Sequence, residues 1–153
     1  LIDLMRKLIK YNNKRISKNK PPLEIRYREH PDINGSSDKI LNKYAPQWSS
    51  WKKSYNKFFT ETNNSFVEDL SGCHGVIAFN SNSLCEAMIL GYPILAYDKG
   101  SVVYDEANHD LIKFLNQPYF PDKNKWNELF NKICFYQWNL DELNDGKPFK
   151  RFL

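Results

Sequence analysis

Gly75-Val-Ile-Ala-Phe-Asn-Ser-Asn-Ser83, running on through Leu84-Cys-Glu-Ala-Met-Ile-Leu-Gly-Tyr-Pro93 to Ile94-Leu-Ala-Tyr-Asp-Lys-Gly-Ser101, decides the fold of this chain. Two apolar runs, Val76 to Phe79 and Ile94 to Tyr97, predict buried strands, and the segment between them predicts a helix. That order is a βαβ unit, whose strands run parallel. Ser83 and Glu86 form Ser-x-x-Glu, which predicts a capping box with the first helical turn near Leu84. Gly91 suits the helix stop, and Pro93 opens the next strand without needing a ladder N–H. A helix entered from a strand end turns its free N–H groups toward whatever lies above the sheet edge, a setting that suits a phosphate. Asn80, Ser81, Asn82 and Ser83 add side-chain donors there without adding charge. The same joint also serves as a plain strand–helix connection. The chain has neither the glycine pattern of a dinucleotide site nor a Gly-Lys-Ser/Thr phosphate loop.

The second strand ends in Tyr97-Asp98-Lys99-Gly100-Ser101, at the same edge. Gly100 permits close backbone approach, Lys99 supplies a point charge and Ser101 a hydroxyl, a set that fits a phosphate or sugar hydroxyl as well as a solvated loop. Upstream, Pro21-Pro22 breaks the chain and Leu23-Glu-Ile-Arg-Tyr27 alternates as a strand. Arg28, His30 and Pro31 then fall at or beyond its carboxyl end, where open α/β sheets bind ligands. His74 stands at the opposite end of the Gly75 strand and reads as structural. His109 falls in a predicted short helix with Leu111, Ile112 and Leu115, whose first turn can reach the binding edge.

Outside this unit the pattern is mainly helical. Leu1, Leu4, Met5, Leu8 and Ile9 keep helical spacing, while Arg6, Lys7, Lys10, Lys14, Arg15, Lys18 and Lys20 crowd residues 6 to 20. The segment predicts an amphipathic helix docked on the domain with a solvated basic face, one that anionic lipid, nucleic acid or an acidic glycan could also meet. Ser65 to Leu70 predicts a short helix with Ser65 and Glu68 at capping positions. Trp126, Leu129, Phe130, Ile133 and Cys134 predict a helix packed on the sheet, and Trp138 with the tail to Leu153 is expected to latch the domain. Residues 32 to 64 are the least regular. Gly35-Ser36-Ser37 marks a loop, and Tyr44, Trp48, Trp51, Tyr55, Phe58 and Phe59 follow among Lys43, Lys52, Lys53 and Lys57. Aromatics interleaved with lysines can stack on bases, yet Trp48, Trp51 and Tyr55 also fit a partly buried helix, and no RNP-like or helix-turn-helix pattern accompanies them.

At 153 residues the chain is expected to form one domain, residues 1–153, with a real core. It begins at Leu1, which suggests a piece of a longer protein. The net charge of +4 is mild. No apolar run reaches the length that spans a bilayer, and nothing reads as a signal peptide. The three cysteines, Cys73, Cys85 and Cys134, are odd in number and widely spaced. They read as reduced thiols of a cytoplasmic-type compartment with no metal-ligand spacing.

The order of an apolar strand, Asn-Ser-Asn-Ser, Glu-Ala, Gly-x-Pro, a second apolar strand and Asp-x-Gly-Ser resembles the donor-binding half of GT-B glycosyltransferases. It is most similar to the capsular-polysaccharide and Kdo-transferase-like group, including relatives carried by viruses and phages. The resemblance takes in Ala107-Asn-His-Asp-Leu111, Pro121-Asp122 with Trp126, the ending Gln137-Trp138 to Leu153, and Arg28-Glu-His-Pro31, which is similar to the His-Pro element such enzymes place against the nucleotide. It covers roughly residues 23 to 31 and 64 to 153. The order and spacing together carry it, and no single motif does.

The resemblance implies an α/β fold, a Rossmann-like three-layer α/β/α with a mainly parallel sheet. It implies a nucleotide-sugar donor domain acting in the cytoplasm of a bacterium or of a virus-infected host, and transfer of the sugar to the hydroxyl of a surface or capsular glycan acceptor. The binding residues it points to are Arg28, His30, Asn80, Ser81, Asn82, Ser83, Glu86, Lys99, Gly100, Ser101 and His109. His30 would also stabilise the leaving group. Glu86 has two competing roles, capping its helix or receiving the ribose hydroxyls. The acceptor site and any general base would belong to a second, N-terminal GT-B domain of the same protein. No Asp-x-Asp motif of the metal-dependent kind occurs in the chain, so neither a metal nor another cofactor is expected. No DNA partner is expected, and the basic N-terminal helix leaves room for peripheral membrane contact. Two alternatives share these residues: a sugar-nucleotide epimerase of the same fold, and a non-enzymatic binder of nucleic acid or other polyanions.

Overall fold

The computed structural model describes residues 2–28, 53, 58–120, 122–136 and 139–150. The chain divides into two compact units, Leu1–Ser65 and Phe66–Leu153. Both are mixed α/β, with short parallel strand pairs and helices.

The first unit opens with α1 (Ile2–Ile16), whose Leu4, Met5, Leu8 and Ile9 are buried as their spacing requires. Its end is set by Asn19 in the left-handed region at φ 55°. The Lys20 N–H reaches the Arg15 carbonyl and the Asn19 N–H that of Ile16, the two bonds of a Schellman stop placed just ahead of Pro21. Asn12, buried on the inner face, donates Nδ2 to the Leu23 carbonyl at 2.8 Å and accepts the Leu23 N–H at 2.9 Å. The predicted alternation then appears: Leu23, Ile25 and Tyr27 are half-buried and Glu24, Arg26 and Arg28 exposed. Only β1 (Arg26–Tyr27) pairs as a strand, parallel to β2 (Thr60–Glu61), a partner too short and polar to stand out in the sequence.

The second unit begins with α2 (Phe66–Leu70), followed by β3 (Val76–Ala78), α3 (Ser83–Ile89) and β4 (Ile94–Ala96). This is the predicted βαβ unit. β3 and β4 are parallel, with Val76 opposite Ile94 and Ala78 opposite Ala96, and α3 packs on both. Gly91, at φ 83°, ends α3: its N–H bonds to the Met88 carbonyl and that of Tyr92 to Ala87. β4 is fully buried, whereas β3, expected to be buried, is half-buried along its length. The difference follows from position. β4 lies between β3 and a parallel bridge from Leu95 to Asn108, while β3 has one paired edge among the described residues.

A 3-10 turn (Tyr104–Glu106) leads to Asn108 and then to α4 (Leu111–Asn116), capped by the Asp110 side chain, which accepts the Lys113 N–H. Leu70, Leu84, Ala87, Met88, Ile94, Ala96, Val103 and Ala107 form the core of this unit. Trp126, Leu129 and Phe130 of α5 (Lys123–Tyr136) pack against it, and Cys134 is exposed. The tail forms α6 (Leu140–Asn144), started by an Asn139–Glu142 capping box, and α7 (Lys147–Lys150). Leu140 and Leu143 stand exposed, so α6 does not bury its leucines as a latch would. Trp138 and the aromatic segment from Tyr44 to Tyr55 lie outside the described residues. No helix among the described residues is long and apolar enough to cross a membrane.

Candidate functional site

Parallel pairing in register brings the carboxyl ends of β3 and β4 side by side, and the Tyr97 N–H closes the ladder on the Ala78 carbonyl at 2.9 Å. Phe79 and Tyr97, the next residue of each strand, meet with ring centroids 5.1 Å apart. Beyond them the two polar turns lie near each other. A Cβ on Gly100 would lie 3.4 Å from Asn80 Nδ2 and 3.4 Å from Asp98 Oδ1, ordinary contact distances that put the second turn beside the Asn80 side chain. The Asp98 carboxylate is spent within its own turn, accepting the Gly100 N–H at 2.8 Å, while the Asp98 carbonyl accepts the Ser101 N–H at 3.1 Å. Lys99 is exposed and makes no ion pair among the described residues.

Ser101 differs from its neighbours. It is 6 % exposed, and its Oγ has no hydrogen-bond partner among the described residues. Val103, two residues on and fully buried, pulls this stretch into the core. A buried hydroxyl without a partner loses solvation with nothing in return.

The Ser81–Ser83 turn is organised differently from the capping box expected of it. α3 starts at Ser83 rather than Leu84, and Asn82 at the N-cap position contributes no side-chain bond. Ser81 does the capping. Its Oγ accepts the Ser83 N–H at 3.3 Å and pairs with Ser83 Oγ at 2.7 Å, and its carbonyl accepts the Leu84 N–H at 3.1 Å. The Glu86 N–H goes to the Asn82 carbonyl, so the Ser83–Glu86 box is not formed. The Ser81 hydroxyl takes the Ser83 N–H and the Asn82 carbonyl takes that of Glu86, so both donors the box would serve are already used. The Glu86 carboxylate is left exposed, one turn into the helix, accepting no hydrogen bond among the described residues. Next to it, burial first and the Glu86 charge second push the Cys85 thiol above its ordinary value.

His109 is one residue before the N-cap of α4 rather than inside that helix. Its ring stacks on Tyr104, 4.0 Å between centroids, with Nε2 2.6 Å from the Tyr104 carbonyl. It therefore follows Asn108, the residue bridged to β4, with its ring already engaged. His74 contacts the Phe114 ring edge-on and its Nε2 lies 3.2 Å from the Phe114 carbonyl, which suits a structural role. The residue that sequence reasoning missed is Asn108. Its Nδ2 donates to the carbonyls of Ile94 (2.8 Å) and Tyr119 (3.0 Å), and its Oδ1 accepts the Tyr119 N–H (2.9 Å). The only available signal was an asparagine, able to mimic a backbone unit, between an apolar segment and a cap.

Arg28 belongs to the first unit, where its guanidinium donates to the Asn64 carbonyl. His30 lies outside the described residues. Among the described residues no three His, Cys, Asp or Glu side chains gather as metal ligands. Asn80, Gly100 and Ser101 are thus brought together with the Ser81–Ser83 turn at one edge of the β3–β4 pair, Glu86 flanks that turn, and His109 lies across β4. Comparison with protein-family models, with curated proteins and with solved structures finds no match for this chain.

Proposed function

We propose that this chain is the nucleotide-sugar-binding part of a metal-independent glycosyltransferase of the GT-B kind, with helices on both faces of a mainly parallel sheet, that donates to a surface or capsular glycan. The observation that carries the reading is the nearness of the Asn80–Ser83 and Asp98–Ser101 turns at the carboxyl ends of two parallel strands, with the Ser101 hydroxyl buried and without a hydrogen-bond partner among the described residues. Open α/β sheets bind their ligands at that edge.

In this reading the leaving phosphate is met by hydroxyls that rotate at little cost. Ser81 Oγ and Ser83 Oγ satisfy each other in the free protein and exchange that bond for charge-assisted bonds to phosphate oxygens. Lys99 supplies the positive charge. Glu86, free of its capping role, accepts from the ribose hydroxyls, and Ser101 bonds a sugar hydroxyl or phosphate oxygen. The acceptor and the general base come from a second domain of the same protein.

A panel of CMP-, UDP-, GDP- and dTDP-sugars tested for thermal stabilisation decides the matter, because a ligand that binds only the folded state raises its stability. At a hundred times its dissociation constant, the cognate donor should raise the melting temperature by about 5 to 10 °C. If no nucleotide sugar raises it, the reading fails. Conversion of free nucleotide sugar to its epimer by the full-length protein would replace transfer with epimerisation at the same site.

A further inference from the structure

We propose that the exposed face of α1 is a docking surface for an anionic lipid bilayer. At about 100° per residue, Arg6, Lys7, Lys10 and Lys14 fall within one arc of roughly 100° on the helix, and all four are exposed. Leu4, Met5, Leu8, Ile9 and Asn12 occupy the opposite arc and are buried. From Arg6 to Lys14 the row is about 12 Å long, and the exposed Lys18 and Lys20 continue the charge past the helix end. Asp3 is the single acidic residue of α1 and is taken by Lys7 at 2.8 Å. Arg6, Lys10 and Lys14 make no ion pair among the described residues. Arg15 belongs to a different role: its Nε donates to the Pro21 carbonyl at 2.8 Å and its guanidinium lies 6.0 Å from the Tyr11 ring.

The chemistry of this face favours lipid headgroups over nucleic acid. Lysine ammoniums are hydrated point charges that need no bidentate geometry. A base-stacking platform requires exposed aromatics, and the only aromatic of α1, Tyr11, is half-buried beside Arg15. A straight row of cations on a rigid helix meets a plane of anionic headgroups with every charge inside one Debye length, and each charge adds its own increment. Since the apolar face of α1 is buried, the attachment is electrostatic, reversible and salt-sensitive, without insertion. The inference is independent of the donor-site reading.

The test is co-sedimentation of the full chain with phosphatidylcholine vesicles containing or lacking phosphatidylserine, at low and high salt, alongside binding to duplex DNA. Binding to the anionic vesicles only, lost at high salt, is expected. Replacing Arg6, Lys10 and Lys14 together by glutamine, a good helix former, should lower partitioning roughly a hundredfold, at about fivefold per charge. Asp3→Asn removes the one negative charge and should raise partitioning about fivefold, a gain that misfolding does not produce. The proposal is overturned if the chain ignores anionic vesicles at low salt, binds neutral vesicles equally, is unaffected by these substitutions, or binds duplex DNA more tightly than vesicles.

Discussion

The carboxamide of Asn108 closes on the backbone of Tyr119, accepting its N–H at 2.9 Å and donating to its carbonyl at 3.0 Å, while the same amide nitrogen holds the Ile94 carbonyl of β4 at 2.8 Å. One side chain thus ties the chain after α4 to the central strand. Asn12 does the same for Leu23 in the first unit. Replacing Asn108 by alanine removes three bonds and should cost roughly 2 to 3 kcal/mol in urea denaturation. Asn108→Asp should cost more at neutral pH, because a carboxylate there faces two carbonyl oxygens, and should recover part of its stability in acid once the carboxyl can donate.

Gly75 is fixed by contact. An added Cβ would stand 2.5 Å from Phe114 Cζ and 2.8 Å from the Pro93 carbonyl oxygen, which itself accepts the Val76 N–H. Phe114 is 1 % exposed and cannot swing away. Gly75→Ala should therefore lower stability by about 1 to 3 kcal/mol. Gly72→Ala tests backbone conformation alone, since its φ is 71° and nothing lies within 4 Å of the new carbon.

Ser81, ahead of α3, and Ser83, its first residue, should separate cleanly. Ser81 caps and Ser83 only returns a hydroxyl bond, so Ser81→Ala should cost about 1 kcal/mol of stability and Ser83→Ala about 0.5 kcal/mol. A larger loss at Ser83 would restore the capping box that the sequence predicts.

Thiol chemistry offers a check on packing around the same helix. Burial is the larger cause of the raised Cys85 value and Glu86 the smaller, and the thiolate is the reactive form. At mildly alkaline pH an aromatic disulfide reagent should label exposed Cys134 first and Cys85 last. Glu86→Gln should quicken Cys85 only slightly. The folded-state value being raised, the neutral thiol stabilises the fold below the ordinary thiol value of 9.0 and that contribution fades as pH climbs through the raised one.

The βαβ unit was legible because its signals agree: two apolar runs of strand length, with Gly91 and Pro93 at the only positions that need a left-handed turn and tolerate a missing N–H. The amphipathic faces of α1 and α5 were legible for the same reason, a period that burial then follows. Ser81 was misjudged because Ser83 offered an equally good cap in a pattern that cannot distinguish a hydroxyl turn from a capping box. The bridge at Asn108 and the strand Thr60–Glu61 are too short to have a period at all. Burial of Ser101 is imposed by the packing of Val103, which is a tertiary cause invisible to local pattern.

The central claim is that the buried Ser101 hydroxyl waits for a nucleotide-sugar, and Ser101→Ala tests it by coupling two readouts that ordinary damage would not oppose. Calorimetric titration with the nucleotide-sugar panel, run beside a melting curve, should find the variant as stable as the wild type or more so, since an unpartnered buried hydroxyl has been removed. Its affinity for the cognate donor should be weaker by about 1 to 3 kcal/mol. A variant that binds the donor as tightly as the wild type, or a wild type that binds no nucleotide sugar, would contradict the account.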